Sequence, residues 1–314
     1  MPSSSSEPDD SASLSPEEAF ALLGNDTRVG ILRALWDAFD SGRGDNALPY
    51  SELFAGVDID DSGNFSYHLE KLTGPFVRQT AEGYELKQTG INVVRAVVAG
   101  TVTGDSTVGP TPVGVACPLC GAPVEITYSD ELMIVSCTTC DGRSRWNGES
   151  GHLFGAFVPP IGVDQHPIEE AFRAAIAYSL HETAVFHEGV CPHCLGPVET
   201  TVDACTDHDP ADTLCPNCDR FNMADAWMVC ATCKRSIPPP VALVVLDDPG
   251  VTAFYHEHGV DHRFATWDTV ARSYRIEEEL LSADPLEMCV TIPAEGDELR
   301  VVLDGELNPV DVSS

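Results

Sequence analysis

Residues 60–72 read DDSGNFSYHLEKL. Phe65, Leu69 and Leu72 recur at steps of four and three, which predicts a helix that buries those side chains as one stripe. Asn64, Tyr67, His68 and Lys71 then share the opposite, solvent-facing side. What this polar face is for depends on what surrounds it.

Downstream, FVRQTAEGYELKQTG (76–90) predicts two short strands around a Glu82-Gly83 turn, and INVVRAVVAG (91–100) an apolar helix. Upstream, SPEE (15–18) offers a capping box with Pro16 at the first helical position. DTRVGILRALWDAF (26–39) places Leu32, Leu35, Trp36 and Phe39 on one helical face, and PYSELFAGV (49–57) reads as a short third helix. Helices, a helix with an exposed polar face, a hairpin and a closing helix are the parts of a winged helix-turn-helix over residues 15–100. The first 14 residues, rich in Ser and Asp, read as a disordered tail, and the Gly/Thr/Pro-rich residues 101–115 as a linker.

Charge bears on any partner. The chain has 314 residues and a formal net charge of −33, with 50 acidic residues against 17 basic ones, only three of them lysines (Lys71, Lys87, Lys234). This acidic, lysine-poor composition resembles that of proteins from halophilic archaea. In molar salt the Debye length falls to about 3 Å, so long-range repulsion from phosphates is mostly screened, and counterion release adds little affinity. Binding to DNA would then rest on short-range fit. The charge is also uneven: residues 15–100 carry a net of −6, residues 101–314 a net of −24.

Three segments together, LGNDTRVGILRAL (23–35), SGNFSYHLEKL (62–72) and the wing ending in ELKQTG (85–90), resemble the ArsR-like winged-helix regulators of haloarchaea. The resemblance implies a homodimeric transcription regulator that binds double-stranded DNA, with the 62–72 helix in the major groove. By position it assigns DNA contacts to Ser62, Asn64, Ser66, Tyr67, His68, Lys71 and Arg78. Metal-sensing members place cysteines near that helix, whereas the first cysteine here is Cys117. Metal sensing by the winged domain is therefore not carried over.

The remaining chain is organised by cysteines. CPLC (117–120) and CTTC (137–140) flank a predicted hairpin, the pattern of a zinc ribbon with ligands Cys117, Cys120, Cys137 and Cys140 over residues 116–150. CPLCGAPVEIT is echoed by CPHCLGPVETT, and MIVSCTTC by WMVCATC. The repeat pairs Cys191 and Cys194 with Cys230 and Cys233 as a second ribbon over 190–236. Between its strands, CTDHDPADTLCPNC offers Cys205, His208, Cys215 and Cys218 as a third set. A cross-braced, RING-like pairing of these ligands is the alternative, disfavoured by the long gap between His208 and Cys215.

Three closed, four-ligand sites predict structural zinc, and oxidation of exposed thiolates would add a sensing role. His193, inside a knuckle, reads as a surface residue, and Cys289 as an unpaired, quiet thiol.

Residues 151–189 read as a linker and one long helix with Ile168, Phe172, Ile176, Leu180 and Thr183 along a face, long enough to act as a spacer or dimer contact. Residues 237–314 read as a small α+β domain: a strand in VALVVL (241–246), a helix in PGVTAFYHEH (249–258) and a hairpin of PLEMCVTIP and ELRVVL. His256, His258 and His262 make a weak candidate metal cluster. The expected fold class is α+β.

No phosphate loop, nucleophile elbow or open metal site points to an enzyme. With no leader and no apolar run long enough to span a bilayer, a cytoplasmic protein without membrane contact is expected. The rival expectation is a zinc-ribbon adaptor in contact with the transcription machinery. A RING-like ligase is a third.

Overall fold

The computed structural model describes residues 14–40, 46–209, 214–260 and 266–313. Within them Ser15 opens helix α1 (Pro16–Leu23): its hydroxyl accepts from Glu18 N at 3.2 Å, and the Glu18 carboxylate accepts from Ser15 N at 2.9 Å. Asn25 caps α2 (Asp26–Asp37) by accepting from Arg28 N at 3.1 Å, and Asp61 caps α4 (Ser62–Leu72) by accepting from Asn64 N at 2.8 Å, after the short α3 (Tyr50–Ala55). Each cap gives an orphan helix N–H an acceptor, so the polar residue that stops the preceding loop also starts the helix.

Strands β1 (Val77–Gln79) and β2 (Tyr84–Leu86) form the antiparallel hairpin, and α5 (Gln88–Val98) follows. Leu48 pairs with Tyr84 through two backbone hydrogen bonds, of 2.8 and 2.9 Å, and so anchors the hairpin to the chain ahead of α3. Gly83 sits at φ +151°, and a Cβ there would come within 2.2 Å of Leu48 O, so only glycine admits this approach. Ile31, Leu32 and Leu35 of α2 meet Phe65, Leu69 and Leu72 of α4, Leu86 of the hairpin and Ile91 and Val94 of α5 in one apolar core. Trp36 and Phe39 stack on one another at 5.5 Å as its partly buried flank. This unit, up to Thr103, is compact by itself.

Residues Gly104–Ser314 make the second unit. Its first sheet has the order β3-β4-β5-β7-β6, from β3 (Val108–Ala116), β4 (Pro123–Ser129), β5 (Leu132–Cys137), β6 (Ser144–Trp146) and β7 (Glu149–Phe157). The short α6 (Pro160–Asp164) leads to α7 (Ile168–His187). A three-stranded sheet follows, β10-β9-β8, from β8 (Val198–Ala204), β9 (Ala224–Cys230) and β10 (Ser236–Ile237). Helices α8 (Val241–Val244), α9 (Pro249–Glu257) and α10 (Trp267–Ser273) precede a four-stranded meander, β11 (Glu277–Ala283), β12 (Leu286–Ala294), β13 (Asp297–Leu303) and β14 (Pro309–Ser313). The architecture is mixed α+β, with helices and several small sheets.

Four expectations need correction. The run read as a linker over 101–115 contains most of β3, an edge strand whose pairing with β4 is broken by two register shifts. Its prolines, Pro110 and Pro112, are tolerated because an edge strand can spare a donor. The linker read ahead of the long helix contains β7, which pairs with both β5 and β6. VALVVL is not a strand but α8 and a 3₁₀ turn started by Pro240, and all six residues are buried.

Lastly, 116–314 is not a string of separate modules. Val124 and Val135 of the first ribbon, Phe172, Ile176 and Leu180 of α7, Met228 of the second ribbon and Val290 of the meander belong to one continuous core. The long helix packs its face of Phe172, Ile176 and Leu180 into this core, the alternative for that face to a spacer or dimer contact. The expected disordered tail lies outside the described residues apart from Leu14.

Candidate metal centres and nucleic-acid interface

The β4–β5 hairpin brings its two knuckles to one end, where Cys117, Cys120, Cys137 and Cys140 converge. The β8–β9 hairpin does the same for Cys191, Cys194, Cys230 and Cys233, and Cys205, His208, Cys215 and Cys218 gather at its far end. In each group the four ligand atoms lie within 4.8 Å of one another. This is the nested arrangement; a cross-braced pairing would have joined Cys191 and Cys194 to Cys215 and Cys218 instead.

The distances are those of metal ligands. Cys120 and Cys137 sulfurs are 3.5 Å apart, Cys117 and Cys140 3.7 Å, Cys191 and Cys233 3.6 Å, and Cys194 and Cys230 3.5 Å. A tetrahedron with metal–sulfur bonds of about 2.3 Å has edges near 3.8 Å, whereas a disulfide would bring the sulfurs to about 2.0 Å. His208 presents Nδ1 to Cys218 Sγ at 3.5 Å while its Nε2 lies 3.2 Å from Phe221 O. That carbonyl selects the tautomer with the proton on Nε2 and leaves the Nδ1 lone pair for a metal ion.

Backbone amides turn toward the sulfurs. Cys140 N donates to Cys137 Sγ at 3.4 Å, Cys233 N to Cys230 Sγ at 3.4 Å, and Asp209 N and Asn217 N to Cys215 Sγ, both at 3.4 Å. Such donors favour the thiolate. The N–H of Cys233 lowers Cys230 to about 6, that of Asp209 lowers Cys215 to about 7, and that of Ala122 lowers Cys120 to about 7. Other thiols move the opposite way: burial raises Cys117, Cys140 and Cys218, and at Cys194 the Gly196 N–H is outweighed by the Cys230 sulfur, burial and the other two sulfurs together, which raise it. Each closed shell of four soft donors could hold an ion, which would displace the remaining thiol protons, and leaves no position for substrate.

The other cysteine and histidines are accounted for differently. Cys289 is buried in the meander, away from the three groups. His193 is held: its Nε2 lies 2.9 Å from Glu182 Oε1 and 3.3 Å from the Tyr178 hydroxyl. Glu182, buried on α7, also takes both arms of Arg235 at 3.0 Å, so the second ribbon is clamped to the helix through two of its own residues. His258 has both ring nitrogens engaged, with Phe254 O at 2.8 Å and Asp297 at 3.0 Å, which argues against the His256–His258–His262 cluster; His262 lies outside the described residues.

In the first unit, Asn64, Tyr67 and Lys71 are exposed along α4, with the Lys71 ammonium 5.7 Å from the Tyr67 ring centre. Ser62 and Ser66 are also exposed, but the Ser66 hydroxyl is engaged by Tyr50 Oη at 2.7 Å and by Ser62 O at 2.8 Å. Arg78 is paired with Glu85 across the hairpin. His68 departs from the expected exposed face. Three residues beyond Phe65 it borders the buried stripe, its Nδ1 is buried, and burial together with Arg28 lowers its pKa. Among the described residues no helix is long and apolar enough to cross a membrane.

Two family models match the chain. One, described as domain of unknown function (DUF7347), covers residues 16–97, and the other, domain of unknown function (DUF7351), covers residues 114–308. No curated protein and no solved structure matches the chain. The two matched segments fall on either side of the division between the two compact units.

Proposed function

We propose that this chain, which belongs to the DUF7351 family, is a DNA-binding transcription regulator whose first unit acts as a winged helix-turn-helix and whose second unit holds three structural zinc ions. One observation carries the DNA reading: α4 exposes Asn64, Tyr67 and Lys71 on one face, directly ahead of a β-hairpin fixed to the same core. A planar amide, a phenol and an ammonium at one-turn spacing are the groups that read base edges and phosphates at close range. The acidic cap Asp61 and its neighbours Asp58 and Asp60 at the start of the helix oppose phosphates at low salt. Binding should therefore strengthen, or at least persist, in molar KCl, opposite to the usual salt dependence. The resemblance to ArsR-like regulators adds a homodimer that recognises a two-fold site.

Zinc is the ion that suits two closed sets of four thiolates, with sulfur separations of 3.5–3.7 Å, and a third of three thiolates and one imidazole. When bound it fixes the knuckles and supplies no catalysis, since every ligand position comes from the chain. Metal analysis of the purified protein should return three zinc ions per chain.

The DNA reading is tested by selecting duplex fragments from a random pool with the full chain in molar KCl. Affinity of the selected duplex for Asn64→Ala/Lys71→Ala is then measured by fluorescence anisotropy. Two lost contacts should weaken binding by about 100-fold or more while the fold stays intact. Failure to enrich any duplex, or unchanged affinity in the variant, sinks the reading in favour of a zinc-ribbon adaptor.

A further inference from the structure

Away from the metal groups, the second unit contains a cleft of about 140 Å³ between β5, β7, α7 and the segment that enters α8. Its lining is mainly apolar. Buried Leu243, Val270 and Tyr274 mark its inner end, and half-exposed Trp146 and Phe157 its mouth. A volume of roughly 150 Å³ lined in this way is enough for a single benzene ring.

Two polar side chains in the lining are unfinished. His152 is 7% exposed and Arg143 8%, and His152 Nε2 and Arg143 Nε are buried with no hydrogen-bond partner among the described residues. Buried nitrogens are rarely left so. The His152 imidazole lies beside Gly155, another residue of the lining: its Nε2 is 3.6 Å from where a Cβ would stand there, so only the missing side chain leaves room next to it. Its Nδ1 is satisfied by the Ser144 hydroxyl at 3.0 Å, a bond compatible with either tautomer. Nε2 can therefore donate or accept.

Charge in the lining is already balanced. Arg143 is paired with Asp225, and Glu182 with Arg235. An ionic ligand would be left without a counter-charge in an apolar site, which is costly. A neutral ligand is not penalised in this way.

We propose that this cleft binds a neutral, single-ring aromatic molecule bearing one hydroxyl group, its ring between Trp146 and Phe157 and its hydroxyl on His152 Nε2 and Arg143 Nε. A hydroxyl fits both unfinished nitrogens because it accepts from the guanidinium N–H and serves the imidazole in either direction. The site does not depend on the first unit reading DNA. Its success or failure is decided by ligand binding alone.

Phenol is the probe, with toluene lacking the hydroxyl and benzoate adding charge. Calorimetry on the full, metal-loaded chain should show phenol binding about tenfold tighter than toluene, the worth of one buried hydrogen bond, and no binding of benzoate. Gly155→Ala places a methyl at ordinary contact distance from His152 and Ile134, with no positive φ to strain, so the fold is kept while the space is reduced. It should weaken phenol by about tenfold, and Gly155→Val should abolish binding. In His152→Phe the preference for phenol over toluene should fall to near parity. The proposal is overturned if phenol does not bind the wild-type chain, if it binds Gly155→Val undiminished, or if benzoate binds as well as phenol.

Discussion

The two ribbons share a sequence repeat and a knuckle geometry, yet they are held in place by different means. In the first, β4 alternates exposed residues with buried Val124, Ile126 and Tyr128, and its hairpin lies inside a five-stranded sheet. In the second, β8 has no buried residue at all, and it forms the edge of a three-stranded sheet. The same four-thiolate clasp thus closes a hairpin buried in the core in one case, and in the other fastens an edge strand whose Val198, Val202 and Ala204 pack against the core only partly buried. A repeated metal motif need not carry a repeated share of the stability.

Removing one ligand from each ribbon should expose that difference most strongly. A structural zinc site contributes on the order of 10 kcal/mol to the folding of its module. Cys194→Ser should strip protection from the amides of β8 by at least about 100-fold in hydrogen exchange, because the partly buried face of this edge strand substitutes for the metal less well than a buried one. Cys120→Ser should change exchange in β4 and β5 much less, since Val124, Ile126, Met133 and Val135 remain packed. The first unit, which contains none of the three metal groups, should melt unchanged in both variants. Equal loss of protection in β4 and β8 would show that the metal, not the sheet, holds both ribbons.

Much of this comparison was legible in the sequence, because metal ligands announce themselves. CxxC spacing specifies the ligands, and the echo of CPLCGAPV in CPHCLGPV favours nesting over a cross-braced pairing without deciding it. The burial difference was not legible. VETTVDA alternates as well as VEITYS does, and whether the apolar face of a strand finds a partner is decided by distant chain. The helix α4 was legible from its period, but the inward turn of His68 was not, since a residue at the border of a buried stripe is placed by neighbours such as Arg28.

β3 was hidden because Gly and Pro signal a loop unless the strand is an edge, which is a tertiary fact. VALVVL was misread because a short, wholly apolar run has no period to separate strand from helix. His152, Arg143 and Gly155 had no motif to mark them, and only folding brings them to one cleft.

A second difference between the ribbons concerns acid. His152 belongs to the first ribbon's sheet, facing Arg143 and Ser144, and burial followed by the Arg143 charge lowers its pKa to about 4 from an ordinary value near 6.5. The folded state therefore binds fewer protons than the unfolded chain between those values. Stability from this group is complete above about 6.5 and is lost as pH falls toward 4, by about 3 kcal/mol in all. Thiolate and His208 protonation also weaken the protein in acid, so the quantity to measure is the difference from His152→Phe. Denaturant titrations at a series of pH values should show the variant losing about 3 kcal/mol less than wild type over this interval. Parallel curves would mean that His152 titrates normally.

The smallest expected effect lies in the turn after each knuckle, where the chain takes a left-handed conformation. In the first ribbon Gly121 occupies that place after CPLC, at φ +74°; in the second, Leu195 occupies it after CPHC, at φ +57°. A left-handed conformation costs a non-glycine residue roughly 1–2 kcal/mol, while glycine returns part of that through its freer unfolded chain. Leu195 is 78% exposed, so its side chain contributes little packing to offset the strain. Leu195→Gly should therefore stabilise the zinc-loaded protein by about 0.5–1 kcal/mol, raising the denaturant midpoint, whereas Gly121→Leu should lower it by a comparable amount. If Leu195→Gly is neutral or destabilising, the exposed leucine makes contacts that matter to another molecule or to the unfolded chain, and the two knuckles differ for a reason other than backbone strain.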